Sequence, residues 1–381
     1  MKTVLVTGGE GYIGSHCVLA LLEDGYDVAV LDNHSTGSKR IGNVFSEIES
    51  LGSFMGVSEG DLLAPSDIDE ALERWDVGAV LHLAASSQVA ESVTDPGKYY
   101  RNNVVGSMNL LDSMRSHDVD LMVFSSSAAV YGEPVRTPMD ESHPQNPVNP
   151  YGRTKLAVER MIGDYSAAYG LRCVSLRYFN VVGADSLCRI GELHDPETHL
   201  VPNILGSAFD GREFRLFGTD YDTRDGTCVR DYVNVEDLAY AHVLALRYLE
   251  NGGKTDSFNI GTDEGSTVRE VLSACEEAVG RRVPLRVEAR RPGDPASLVA
   301  DNSKAKEILG WEPRRSLEHS IRTACSWERR KRRLRLHLVH ERRYLLVIGV
   351  VFVGCYPLPH RLLGDEAFFE SLYLGAQYLP P

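Results

Sequence analysis

The sequence predicts an α/β fold: a doubly wound parallel sheet with a smaller C-terminal α/β lobe. Three observations point there. Short apolar, β-branched runs alternate with stretches of helical period through the first half of the 381-residue chain. The first run, Thr3-Val4-Leu5-Val6, leads directly into the glycine turn Thr7-Gly8-Gly9-Glu10-Gly11-Tyr12-Ile13-Gly14. From residue 184 turns and short elements dominate, the change of texture expected of a second lobe.

Each element can be justified in order. Ser15 to Asp24 reads as a helix ended by Gly25, and Asp27 to Leu31 as a second strand, which makes a βαβ unit. Gly8, Gly11 and Gly14 allow a tight turn, close approach of backbone to a pyrophosphate and close helix packing. Between a strand and a helix this spacing is a Rossmann-like dinucleotide fingerprint, with Tyr12 and Ile13 at the helix start facing the phosphates. Asp32 closes the second strand. A carboxylate there accepts from ribose hydroxyls and repels a 2′-phosphate, which favours NAD over NADP. A plain turn aspartate, followed by Asn33, is the alternative.

A third strand lies around Met55 to Ser58, before Gly60-Asp61-Leu62, where Asp61 is placed to meet an adenine amino group. A helix covers Ser66 to Arg74. Val77 to Leu83 reads as a buried strand running into Ala84-Ala85-Ser86, small residues suited to lying against a flat cofactor. His82 on it reads as a packed core histidine. Tyr99 to His117 reads as one long helix carrying Asn102 and Asn103. Leu121 to Ser125 is the next strand, and its hydroxyl-rich continuation Ser125-Ser126-Ser127 faces the cleft where doubly wound sheets bind ligands.

Pro150 then opens a helix with Tyr151 and Lys155 one turn apart on the same face. A free phenol has a pKa of about 10. An ammonium at that spacing is expected to favour the phenolate and make the proton exchangeable nearer neutrality. Arg172 to Leu176 is a strand that runs into Arg177-Tyr178-Phe179-Asn180. In the second lobe, Leu200 to Asp210 reads as a helix and Arg215 to Gly218, with Phe217, as a strand. The helix Val235 to Glu250 and strand Phe258 to Ile260 are expected to return to the first lobe. Val268 to Val279 is a helix, Val283 to Val287 a strand, and Asp301 to Leu309 a capped helix. The expected division is 1–183 with 234–260, then 184–233 with 261–327, then a tail over 328–381.

The formal net charge is −14, while residues 328–381 carry nine Lys/Arg against five Asp/Glu. The acidic body argues against nucleic acid as a partner, and an anionic ligand must be held by local cations. Seven scattered cysteines without a C-x-x-C fit a reducing compartment and no metal centre. The chain opens on a strand with no signal peptide, so a cytoplasmic location is expected. In the tail, the basic run Arg329 to Arg335 precedes an apolar stretch, Tyr344 to Tyr356. That stretch is short for a membrane span of roughly 17–25 residues. Membrane contact through the tail is the lesser expectation.

The glycine turn, Ser125 to Gly132, Pro150 to Lys155, Arg177 to Gly183, Gly226 to Tyr232 and Arg290 to Asp294 together resemble the extended short-chain dehydrogenase/reductase family. The likeness runs from Thr3 to about Trp327 and is greatest to members that epimerise UDP-hexoses at C4. The resemblance implies bound NAD, a 4-keto intermediate and interconversion of UDP-galactose and UDP-glucose. It implies Tyr151 as base, Lys155 as its partner, and Ser127 as the hydroxyl linking the sugar to Tyr151. It places Leu83, Ala84, Ala85, Asn102, Ser125 and Tyr178 with the cofactor, and Asn180, Leu200, Phe217, Arg230, Arg291 and Asp294 with the UDP-sugar. Ser297 stands where a side chain limits the hexose 2-substituent, so N-acetylhexosamines fit too. Ala128 and Ala129 replace the acid pair that a related dehydratase needs, and Ser87 stands where some members carry lysine. A homodimer paired through the helices Tyr99 to His117 and Leu156 to Ala168 follows by fold analogy. Other readings remain open: a UDP-glucuronate epimerase, a net NAD-dependent oxidoreductase, or a non-catalytic NAD-binding module with a partner-binding tail.

Overall fold

The structure is a computed structural model that describes residues 3–48, 50–194, 196–291 and 294–333. The basic run from 334 on and the apolar stretch of the tail lie outside the described residues. Residues Met1–Glu328 form one compact unit and Arg329–Pro381 another. The elements that build the site belong to the first.

Thirteen strands are present among the described residues. They are β1 Thr3–Thr7, β2 Val28–Asp32, β3 Phe54–Glu59, β4 Val77–His82, β5 Leu121–Ser125 and β6 Arg172–Tyr178. Then come β7 Asn180–Val182, β8 Phe214–Phe217, β9 Val229–Asn234, β10 Asp256–Ile260, β11 Gly265–Thr267, β12 Leu285–Glu288 and β13 Ser297–Leu298. The helices are α1 Tyr12–Glu23, α2 Arg40–Ser46, α3 Pro65–Arg74, α4 Val89–Thr94, α5 Pro96–Tyr99, α6 Gly106–Ser116, α7 Pro150–Tyr169, α8 Leu200–Asp210, α9 Val235–Glu250 and α10 Val268–Val279. A last helix begins at 317.

Seven strands form one parallel sheet in the order β10-β6-β5-β4-β1-β2-β3. Both faces are covered, so its central strands are apolar on both sides. On β1, Val4 and Val6 pack with Val18 and Leu22 on one face, and Leu5 packs with Ile68 and Leu110 on the other. This is the period-two alternation of a strand buried twice. The strand order reverses between β1 and β4, and ligands bind outside the carboxyl ends at such a switch.

The second layer grows from the first without a linker. Only Phe179 separates β6 from β7, and β7 pairs with β9. β9 also carries β11 and β13, while β8 and β12 form a separate parallel pair. From β9 the chain enters α9 directly, where the Asn234 side chain accepts from Glu236 N at 2.8 Å. It then returns as β10 beside β6, with Asp256 opposite Val174.

The helix from Tyr99 departs from expectation. It is α5, a π-helical segment Tyr100–Val105 and α6 in succession. α1 starts at Tyr12 rather than Ser15, because Gly11, with φ −77° and ψ 176°, is its N-cap. α2 and α4 were not anticipated; neither has a side-chain cap.

Candidate active site

A cavity of about 280 Å³ opens at the carboxyl ends of the parallel strands. Its wall includes Gly8, Gly11, Tyr12, Ile13 and Gly14 from the first turn, and Asp32, Asn33, Asp61 and Leu62 beyond β2 and β3. Leu83, Ala84, Ala85, Asn102, Ser125, Tyr151, Lys155 and Tyr178 complete the set that the sequence assigns to a dinucleotide.

The turn fits a pyrophosphate for a stated reason. A Cβ on Gly14 would lie 2.0 Å from Gly8 O, so only glycine lets α1 begin this close to the turn. α1 has no side-chain cap and no acid in its first turn, which leaves N–H groups and positive dipole toward the cavity. Tyr12 anchors this helix start from behind, its hydroxyl donating to Gly183 O at 2.7 Å. Asp32 is buried and accepts from Glu10 N at 2.9 Å and His34 N at 2.8 Å, which fixes its carboxylate at the end of β2.

The reactive group is set by α7. Asn149 caps it, accepting from Gly152 N at 2.8 Å, and Pro150 occupies the first helical position. A Cβ on Gly152 would meet Ala129 O at 2.4 Å. Glycine here lets the first turn of α7 lie against the loop after β5, which brings Tyr151 to Ser127. Asn103 locks the arrangement. Its Nδ2 donates to Ser86 O at 2.9 Å and Thr154 Oγ1 at 3.1 Å, and its Oδ1 accepts from Ser86 N at 2.8 Å. Lys155 Nζ donates to Ser125 O at 2.7 Å and lies 5.9 Å from the Tyr151 ring centre.

The electrostatics differ from the sequence expectation. Burial raises the Tyr151 phenol above its ordinary value, and only a hydrogen bond with Ser127 lowers it. Burial also depresses Lys155 to about 7, against the opposing pull of Glu159. An amine so near neutrality, turned toward a carbonyl, gives the phenol little help from the protein alone. Burial likewise raises Tyr178, which shares a hydrogen bond with Ser125. His82 is a core histidine, as expected: burial drops it to about 3, and its ring nitrogens meet Thr7 and Ser107 at 2.8 Å.

The residues expected at a UDP-sugar divide. Ser127, Asn180 and Leu200 line the cavity. Phe217, Arg230, Arg291, Asp294 and Ser297 stand outside its wall. Arg291 stacks 4.0 Å over the Phe217 ring. Arg230 donates to Asp294 Oδ1 at 2.7 Å and Pro295 O at 2.9 Å. Ser297 begins β13, opposite Val229. β9 joins the two groups, since its Tyr232 lines the cavity opposite Asn180 and Arg230 lies two residues along.

Sequence reasoning missed Asn103 as a positioning residue, and it missed His194 and His199, which also line the cavity. These histidines belong to a cluster with Glu192 and Glu197 whose ligating atoms all lie within 4.8 Å of one another. No metal centre was expected of a sequence without paired cysteines. The usable signal was the E-x-H-x2-E-x-H spacing from Glu192 to His199.

Residues 4–261 match the model of the NAD dependent epimerase/dehydratase family. The chain is 48% identical to the UDP-glucose 4-epimerase of Halalkalibacterium halodurans over 328 residues, covering 86% of this chain and 95% of that one. Among solved structures it is similar to the UDP-glucose 4-epimerase of Brucella ovis in complex with NAD, at 46% identity and a TM-score of 0.80, over 86% of this chain and 98% of that one. It is also similar to the Stenotrophomonas maltophila enzyme with bound NAD and formylated UDP-arabinopyranose, at 39% identity and a TM-score of 0.84, over 88% and 100%. A glycine turn, a tyrosine–lysine helix and this degree of identity along most of the chain have one reading: the chain belongs to the NAD-dependent epimerase/dehydratase family, among relatives named UDP-glucose 4-epimerase.

Proposed function

We propose that the protein interconverts UDP-galactose and UDP-glucose by inverting C4 of the hexose, with NAD as a resident cofactor. The observation that carries this reading is a single cavity wall that combines a dinucleotide turn with Tyr151, Ser127 and Lys155. NAD, when bound, supplies the hydride acceptor and donor for C4. Gly8, Gly11 and the start of α1 would hold its pyrophosphate, and Asp32 would hold a ribose.

The remaining chemistry belongs to the chain. Tyr151 takes the 4-OH proton and later returns it, with Ser127 relaying between the sugar oxygen and the phenol. Lys155 steers the phenol proton and the ribose beside it. Burial keeps water from the transient ketone. Arg230 and Arg291 act on the diphosphate from beyond the cavity wall, Arg230 after exchanging Asp294 for phosphate oxygens. Asn180 and Leu200 face the nucleotide-sugar, and Phe217 and Ser297 line its approach. Ser297 is small, so the N-acetyl pair belongs in the assay.

Incubation with UDP-galactose, UDP-glucose and their N-acetyl counterparts, without added nucleotide, tests this directly. Product should form with no NADH released to solution; NADH accumulating in step with turnover would point to a net oxidoreductase instead.

A reducing cytoplasm suits the six described cysteines, five of which are buried. No helix among the described residues is long and apolar enough to cross a membrane. A second copy of the chain is the partner we assign to the face carrying Val89, Val93, Tyr100, Val105 and Met108, which are exposed on α4, the π segment and α6.

A further inference from the structure

We propose that Glu192, His194, Glu197 and His199 form a site for a divalent transition-metal ion in the wall of the cavity. Metal capture by these side chains does not depend on the chain's being an epimerase.

All four donors come from one short segment just ahead of α8. Glu192 is buried at 6% exposure, and its Oε1 faces Nδ1 of both His194, at 2.9 Å, and His199. Glu197 Oε1 lies 3.5 Å from the same nitrogen of His199. The two imidazole rings are 5.1 Å apart, centre to centre. Two nitrogens and two carboxylate oxygens thus converge on one point, all within 4.8 Å of one another. Four ligands at about 2.0–2.2 Å from an ion sit roughly 3.3 Å apart in a tetrahedron. Small rotations of the side chains suffice to reach that geometry.

The donor set and charge select the ion. Imidazole with carboxylate suits zinc, cobalt or manganese rather than calcium or magnesium, which prefer oxygen alone. Two carboxylates match a divalent charge, and both imidazoles can then remain neutral.

The scaffold is stiff on both sides, as a metal site requires. Trp327 Nε1 donates to Glu192 O at 2.9 Å, and a Cβ on Gly191 would strike the Trp327 ring at 2.6 Å. Asn203 Nδ2 donates to His199 O at 2.8 Å and Glu197 O at 3.3 Å, which ties the far end to α8. An ion held here fixes the segment that leads into Leu200 and stands edge-on to Tyr12, whose ring is 6.4 Å from His194. Its role is to hold that stretch of wall.

The test uses the full-length protein with its resident nucleotide, treated with chelator and titrated with Co²⁺. The expected result is one ion per chain with visible d–d absorption, no thiolate-to-cobalt charge-transfer band, a rise in Tm, and loss of the bands when Zn²⁺ is added. The double variant His194→Gln/His199→Gln, and the milder Glu197→Gln, should weaken or abolish the signal while circular dichroism stays that of the parent. Absence of both d–d absorption and a Tm rise in the parent at excess Co²⁺ overturns the site. So does a folded histidine variant that binds as the parent does, or a charge-transfer band that reports cysteine ligation.

Discussion

At the level of single residues, Tyr151 and Lys155 illustrate what spacing can and cannot convey. Their shared helix face was legible, because four residues is one turn. The direction of their proton affinities was not, because burial is a property of the folded chain. Here desolvation is the largest cause for each and moves both groups away from charge. Tyr151→Phe should lower turnover by about 10²–10⁴, the usual reach of a general acid–base, and leave bound NAD in place; mass spectrometry and the UDP-sugar assay check both halves. Lys155→Met should stabilise the fold at neutral pH while lowering activity. The lysine is charged up to an ordinary value of 10.5 when unfolded but only up to about 7 when folded. Folding therefore costs proton affinity, a penalty complete below about 7 that fades as pH rises toward 10.5. Its size is on the order of a few kcal/mol at pH 7, offset in part by about 1–3 kcal/mol for the orphaned Ser125 carbonyl. Denaturant titrations across pH should find the gap between variant and parent closing as pH rises.

Among elements, those with strong periodicity and clear ends were readable. α8, α9 and α10 run over the expected residues, with Asn234 and Thr267 capping the last two and glycines at the C-caps of α8 and α10. The segment Tyr100–Val105 was not readable, since a π segment keeps the composition of an α-helix and differs only in its hydrogen bonds. α2 lacks every end signal. The start of α7 carries its own prediction. Gly152→Ala should push the helix from Ala129 O and separate Tyr151 from Ser127. Turnover should then fall by at least tenfold, or about 1.4 kcal/mol of barrier, with little change in NAD content. The arginines were legible as chemistry, but their resting partners were not. Arg230 already has Asp294 for a partner, and no sequence pattern reveals that ion pair.

For the molecule as a whole, the parallel sheet was legible because alternating strands and helices permit few topologies. The return of the chain through α9 to β10 was also expected, and β10 forms the edge of the large sheet beside β6. Oligomeric state was reached only by analogy, since exposed apolar side chains become a patch only once helices are folded. Val93 is 62% exposed and Met108 41%. If that face joins two copies, Val93→Glu with Met108→Glu should yield monomers in sedimentation-velocity runs, with the far-ultraviolet circular dichroism unchanged.

The way the second layer is attached bears on how long a guest stays. The chain crosses outward at Phe179 alone, comes back with no residue between β9 and α9, and crosses again over 261–264, where Thr262 N donates to Asp231 Oδ1 at 2.8 Å. Crossings this short and this tied leave little slack for a hinge. The mouth cannot swing wide about a flexible joint, so a dinucleotide seated on the floor can leave only when the walls breathe. Its residence should outlast many rounds of catalysis, and the protein should emerge from gel filtration with the nucleotide still aboard.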